Sequence, residues 1–213
     1  MIRIVVVDDH ALVRAGICSL LSSQDDISVI AETGSGREAV KICEQLKPNI
    51  VLLDLSIPDL DGLEATKQIM AEAPQIKVII LTMYENEEYA TRVLNAGAKG
   101  FIVKRMSPEE LPSVIRKVMA GETCITESIM RQIVLRKTSS GDQSMLSLLS
   151  DRELQIFHKL ARGSSGAKIA DELGLSASSV ATYKSRIMDK LGLENQAELM
   201  RFALRLGLID KFE

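Results

Sequence analysis

Long apolar runs are missing from this 213-residue chain. None approaches the roughly 20 residues that cross a bilayer, so no membrane span is expected. The opening MIRIVVVDDH lacks a basic lead, a long apolar middle and a small-residue cleavage site, and so does not read as an export signal. A cytoplasmic protein is the expectation. Cysteine is scarce: Cys18, Cys43 and Cys124 are odd in number, far apart and outside any Cys-x-x-Cys spacing. That suits neither a disulfide framework nor a zinc site, and the three thiols receive no function. An excess of basic charge is also lacking. The net charge of −3 argues against a chain given over wholly to nucleic acid. The sum conceals an asymmetry, because residues 145–213 carry 10 basic against 9 acidic side chains, net +1, and residues 1–144 carry 16 against 20, net −4.

What the sequence holds instead is an alternation. Five short β-branched runs, IRIVVV (2–7), ISVIA (27–31), NIVLL (49–53), KVIIL (77–81) and GFIV (100–103), are separated by segments with apolar residues at helical spacing. Val13, Ile17, Leu20 and Leu21 mark the first such segment, and Leu111, Val114, Ile115 and Val118 the last. Strands apolar on both faces, alternating with helices, predict an α/β domain with a five-stranded, doubly wound parallel sheet over residues 1–121. Beyond Gly121 the periodicity fades, and LRKTSSGDQSM (135–145) has the composition of a connector, so residues 122–146 read as linker. From 147 to 213 the signals are purely helical and predict a smaller all-α domain. Ser150 and Glu153 have capping-box spacing before the stripe Leu154, Phe157, Leu160 and Ala161, which ends at Gly163. A short helix, AKIADEL, ends at Gly174; Ser176 caps a third that stops at Gly192, and Asn195 opens a fourth.

The chemistry concentrates where the predicted strands end. Side chains at the carboxyl ends of parallel strands converge on a crevice, and there stand Asp8 and Asp9, Asp54, Thr82 and Lys104. Any one of these is ordinary. Three carboxylates together repel one another and call for a cation among them. An all-oxygen set suits Mg²⁺, which also takes phosphate oxygens, and a carboxylate beside such an ion is a nucleophile toward phosphorus. Asp54 is thus the candidate nucleophile that would form an acyl phosphate, with Lys104 neutralising phosphoryl oxygens and Thr82 donating to one of them. DLDGL (59–63) has the D-x-D-G of aspartate-nucleophile phosphatases, but the aspartate adjoining the strand is Asp54. Leu63 also stands where a calcium loop needs an oxygen, so Pro58, Asp59, Asp61 and Gly62 read as turn and helix-start residues. His10 reads as a polar surface residue.

Through VVVDDH, LLDLSIPDLDG, ILT and GFIVK, residues 1–120 resemble the receiver domain of bacterial two-component response regulators, whose fold is flavodoxin-like. The resemblance implies that Asp8, Asp9, Asp54 and the Ser56 backbone carbonyl ligate Mg²⁺, and that a sensor histidine kinase phosphorylates Asp54. It implies that Thr82 and Lys104 sense the phosphoryl group, that Phe101 is the aromatic that follows Thr82, and that Tyr84 tunes dephosphorylation. Arg105 departs from the proline that often follows the lysine, so no cis peptide bond is expected there.

The tail has the order of a helix-turn-helix, which seats its second helix in the DNA major groove. LSDRELQIFHKLARG and KIADELGLSASSVATYKSRIMDKLGL resemble the LuxR-type DNA-binding domain of NarL/FixJ-type regulators over residues 148–207. With Val180, Ile187 and Leu191 turned inward, Ala181, Thr182 and Ser185 are placed for base edges, and Lys184, Arg186 and Lys190 for phosphates. Family members often carry lysine where Ala181 and Ser185 stand, histidine at Tyr183, and Asn-Lys-Glu at Gly166, Ala167 and Lys168. A net charge of +1 predicts weak binding of double-stranded DNA by one domain, so two copies would act together as a homodimer when phosphorylated. Leu199, Phe202 and Leu206 are a candidate seam, shared with packing on Leu154 and Phe157. The expectation is a phosphorylation-switched transcription regulator that catalyses only its own phosphoryl transfer and loss. Two alternatives stay open: an Mg²⁺-dependent phosphohydrolase using Asp54, and a receiver whose tail binds protein.

Overall fold

Each β-branched run forms a strand, because residues apolar toward both faces find a place only in a sheet covered on both sides. In the computed structural model, which describes residues 1–57, 59–83, 85, 87–136, 143–206 and 208 (without the side chains of 135, 136, 143 and 144), the chain divides into two units, Met1–Arg131 and Gln132–Glu213. The first alternates β1 (Ile2–Val7), α1 (Ala11–Ser22), β2 (Ile27–Thr33), α2 (Gly36–Leu46), β3 (Ile50–Asp54), α3 (Gly62–Glu72), β4 (Lys77–Thr82), α4 (Glu87–Asn95), β5 (Gly100–Val103) and α5 (Leu111–Met119). All strand pairs are parallel, in the order β2-β1-β3-β4-β5-β6. The central strands are buried on both faces: Ile4, Val6, Ile50, Leu52 and Ile79 pack with Leu21, Leu111, Ile115 and Val118 in one cluster.

The sheet has one strand more than the periodicity indicated. β6 (Cys124–Ile125) pairs with β5, and Thr126 extends the contact: its amide donates to the Phe101 carbonyl at 3.1 Å and its hydroxyl accepts from the Val103 amide at 3.1 Å. Two residues are too few to show a period, which is why 122–146 reads as linker. α6 (Glu127–Arg136) fills more of that stretch, whereas residues 137–142 lie outside the described residues.

In the second unit a short turn, α7 (Gln143–Leu146), leads into α8 (Asp151–Ala161), α9 (Gly166–Glu172), α10 (Ala177–Leu191) and α11 (Gln196–Arg205). Each of the last four opens on a side chain that accepts from the third helical amide: Ser150, Ser165, Ser176 and Asn195. Ser150 and Glu153 form the reciprocal capping box. Leu154, Phe157, Leu160, Ile169, Val180, Ile187, Leu191, Leu199 and Phe202 are buried, with the Phe157 and Phe202 rings edge to face at 6.1 Å. Leu199 and Phe202 are buried in this core, which bears out the packing half of their reading, and Leu206 is partly exposed.

Candidate functional site

β1 and β3 are neighbours, and the pairing of Val7 with Leu53 sets their carboxyl ends level. Asp8, one residue past β1, and Asp54, the last residue of β3, therefore meet at the edge from which the chain departs in both directions across the sheet. One ligand atom from each of Asp8, Asp9, His10 and Asp54 lies within 4.8 Å of the others. Asp8 and Asp54 are buried, while Asp9 and His10 lie toward the rim. The Lys104 ammonium, placed directly after β5, stands 2.7 Å from Asp8 Oδ2 and 3.1 Å from Asp54 Oδ2. Thr82 ends β4 and is fully buried, as is Phe101 on β5. Ser56 is partly exposed, and its backbone works to lower the Asp54 carboxyl. Tyr84 and Pro58 lie outside the described residues.

Burial pushes the Asp54 carboxyl above the ordinary carboxylate range and Asp8 adds to the rise, with Lys104 opposing both. The Lys104 ammonium is lowered by burial, yet its two anions outweigh this and leave it raised. The two directions agree: one ammonium is divided between two buried carboxylates, so the cluster carries more negative charge than its own lysine neutralises. With hard oxygen donors converging on one point, that deficit fits a small divalent cation such as Mg²⁺.

Two long-range ties near these strand ends carry no sequence signal. Arg14 on α1 donates from Nη1 to the Asp8 carbonyl at 2.5 Å, and Asp59 binds the start of α2, 22 to 24 residues back along the chain. His10, given no role from sequence, places Nδ1 2.8 Å from Asp9 Oδ1 and its amide 2.9 Å from Asp8 Oδ1.

In the second unit, α9 and α10 are joined by a turn through Leu173, Gly174 and Leu175, with Gly174 at φ +60°, in helix-turn-helix order. Ala181, Thr182, Ser185 and Arg186 are exposed on α10 and Lys184 partly so, while Val180, Ile187 and Leu191 face the core. The Thr182 hydroxyl donates to the Ser178 carbonyl at 3.0 Å. Lys190, also expected on a phosphate, is exposed, and its ammonium lies 2.6 Å from Glu153 Oε2 and donates to the Leu148 carbonyl at 3.1 Å, which ties α10 to the capping box of α8.

Residues 4–116 match the response regulator receiver domain, and residues 147–203 match the bacterial regulatory proteins of the luxR family. The chain is 39% identical to the response regulator GacA of Pseudomonas viridiflava over 99% of both chains. The chain belongs to the response regulators of NarL/FixJ type. Among solved structures, the RcsB response regulator of Salmonella typhimurium superposes with a TM-score of 0.74 at 25% identity, over 96% of this chain and 98% of that one. RcsB of Salmonella enterica serovar Typhimurium, bound to promoter P1flhDC in the presence of the phosphomimetic BeF3⁻, superposes at 0.69 and 26% identity, over 94% and 97%. This response regulator thus joins a receiver to a LuxR-type helix-turn-helix DNA-binding domain and belongs with transcription regulators rather than metabolic enzymes. No described helix is long and apolar enough to cross a membrane.

Proposed function

We propose that this response regulator is phosphorylated on Asp54 by a sensor histidine kinase, and that the phosphoryl charge switches homodimerisation and sequence-specific DNA binding to regulate transcription. The observation that carries this reading is the Lys104 ammonium set between the buried carboxylates of Asp8 and Asp54. Asp8, Asp9, Asp54 and the Ser56 carbonyl would hold Mg²⁺, which when bound supplies neutralising charge for phosphoryl oxygens. An Asp54 carboxylate oxygen attacks phosphorus; the new O–P bond forms as the bond from phosphorus to the donor nitrogen breaks, and the donor imidazole keeps that electron pair. Lys104 then holds one phosphoryl oxygen and the Thr82 hydroxyl donates to another. Thr82 and Phe101 are fully buried on the neighbouring strands β4 and β5, so a shift of Thr82 toward the phosphoryl group would be passed through close-packed side chains to the α4, β5 and α5 surface.

In the second unit α10 would enter the major groove, with Ala181, Thr182 and Ser185 at base edges and Lys184 and Arg186 on phosphates. Lys190 serves this function as a brace. Such a regulator works in the cytoplasm, within reach of the chromosome. A phosphate-affinity gel after treatment with a small acyl phosphate in Mg²⁺ tests the first half: a shifted band in the parent chain and none in Asp54→Asn is expected, and an equal shift in both would refute the site. A mobility-shift titration of the same samples on genomic promoter fragments tests the second, with tighter binding expected after phosphorylation.

A further inference from the structure

The segment joining β3 to α3 holds two aspartates that do different work. Asp61 caps the helix it precedes, accepting from the Glu64 amide at 2.9 Å. Asp59 reaches away from its own helix to the start of α2, where its Oδ1 accepts from the Gly36 amide at 2.9 Å and its Oδ2 from the Ser35 hydroxyl at 2.6 Å and the Arg37 amide at 3.2 Å. The cap of α2, Ser35, satisfies only the Glu38 amide, so Asp59 takes two of the donors that a helix start leaves open. Negative charge at that end of a helix dipole is favourable. Partial burial pushes the Asp59 carboxyl up, but the Ser35 hydroxyl and the two amides outweigh it and hold the group below the ordinary carboxylate range, so it stays ionised as an anchor.

The same turn of α2 is tied to the other side of the acid cluster. Thr33, which ends β2, hydrogen-bonds Glu38 of α2 through its hydroxyl and accepts the Asp8 amide at its carbonyl at 3.1 Å. Asp8 and the segment following Asp54 are therefore referred to one common frame. Two glycines let that segment sit so closely. A Cβ on Gly36 would collide with the Leu60 carbonyl oxygen, and one on Gly62 would lie 2.5 Å from the Asp54 carbonyl oxygen; the Gly62 amide closes the segment on the Leu55 carbonyl at 3.0 Å. Between these ties lies Ser56, two residues after Asp54.

We infer that Asp59 is a positioning residue for the Asp54 site, holding the Leu55–Ile57 backbone at the spacing from Asp8 that a divalent cation requires by pinning this segment to the start of α2. The inference rests on the reading of the cluster as an Mg²⁺ site. Its mechanism predicts a specific signature, because a slack segment costs affinity for the ion before it costs fold.

The test is Mg²⁺ titration of the full chain by calorimetry for the parent, Asp59→Ala, Asp59→Asn and Gly36→Ala, with Arg116→Ala as a control. Arg116 clamps Asp26 through two bonds of 2.7 and 2.8 Å, so its removal loosens the receiver without touching α2 or the β3 to α3 segment. Loss of a partner that orients a ligand typically weakens metal binding by about tenfold or more, and that is expected for Asp59→Ala and Gly36→Ala. Asp59→Asn, which keeps one acceptor oxygen, is expected to recover part of the affinity, and Arg116→Ala to match the parent. Phosphorylation by a small acyl phosphate should need more Mg²⁺ in Asp59→Ala and reach nearly the parental rate once the ion saturates. An unchanged Mg²⁺ affinity in Asp59→Ala, whatever its melting temperature, would overturn the inference and leave Asp59 as a helix cap. A parent chain that takes up no Mg²⁺ would instead overturn the metal-site reading and this inference with it.

Discussion

The Lys104 ammonium stands 2.7 Å from Asp8 and 3.1 Å from Asp54, so one lysine is divided between two buried carboxylates. That division explains why burial and Asp8 together raise the Asp54 carboxyl despite the lysine beside it. A raised carboxyl in the folded state is a penalty on folding at neutral pH, since the unfolded chain ionises at the ordinary value of 3.8 without cost.

Asp54→Asn is therefore expected to leave the ion-free protein at least as stable as the parent at pH 7, although it removes the phosphorylation site. The sign is fixed by linkage: the parental penalty is present above the raised folded pKa and fades as pH falls through it toward 3.8. Urea unfolding followed by circular dichroism in Mg²⁺-free buffer, at neutral and at mildly acid pH, reads the effect. A variant clearly less stable than the parent at pH 7 would show that Asp54 is held by attraction rather than tolerated.

Lys104→Met should act in the opposite direction. It keeps most of the side-chain volume but strands two buried carboxylates, and stripping one partner from a buried ion pair costs roughly 3 kcal/mol. The loss should shrink in the Asp54→Asn background, where only Asp8 remains uncompensated, and a double-mutant cycle on the two changes measures that coupling. Additive losses would mean that Lys104 and Asp54 do not share charge.

The two lysines of α10 separate a DNA contact from a brace. Lys184→Ala is expected to weaken DNA binding and lower the slope of log affinity against log salt by about 1, the mark of one lost phosphate contact. Lys190→Ala should leave that slope unchanged and instead lower the melting temperature of the second unit. The Lys190 side chain is 40% exposed, so solvent screens much of its contact with Glu153 and the cost should stay near 1 kcal/mol or below. A salt slope reduced equally by both would return Lys190 to the phosphate contacts.

The fold was legible where residues repeat with a period, and the crevice where strands end in charge. Asp8, Asp54, Thr82 and Lys104 could be placed because parallel strands align their carboxyl ends, so the ends of separate runs become neighbours without any long-range information. β6 was hidden because two residues have no period, and the division of the Leu199 and Phe202 stripe between packing and a seam was open because an apolar stripe does not say what covers it. The ties that Asp59 and Lys190 make were hidden for a different reason. Each bonds a partner more than 20 residues away, Ser35 to Arg37 for one and Glu153 for the other, and spacing along one helix or turn holds no trace of such a pairing.

His158 predicts an acid-labile second unit. It lies in α8 with its ring 5.6 Å from that of Phe157, edge to face, and burial, with Arg162 adding to it, pushes its pKa down to about 3. The unfolded chain takes up the proton near 6.5, so stability is full above that value and is lost progressively as pH falls from 6.5 toward 3. At pH 5.5, one unit below the unfolded value, the expected loss is about 1.2 kcal/mol relative to pH 7. Glu153 does not confuse this window: its carboxyl, raised by burial but lowered further by Lys190 and Ser150, gives up its contribution only as pH falls below the ordinary 4.5. Hydrogen exchange of α8 peptides, read by mass spectrometry between pH 7.5 and 5.5 after correction for intrinsic rates, should show protection falling in the parent and staying flat in His158→Leu. Parallel slopes in the two proteins would place the acid sensitivity on another group.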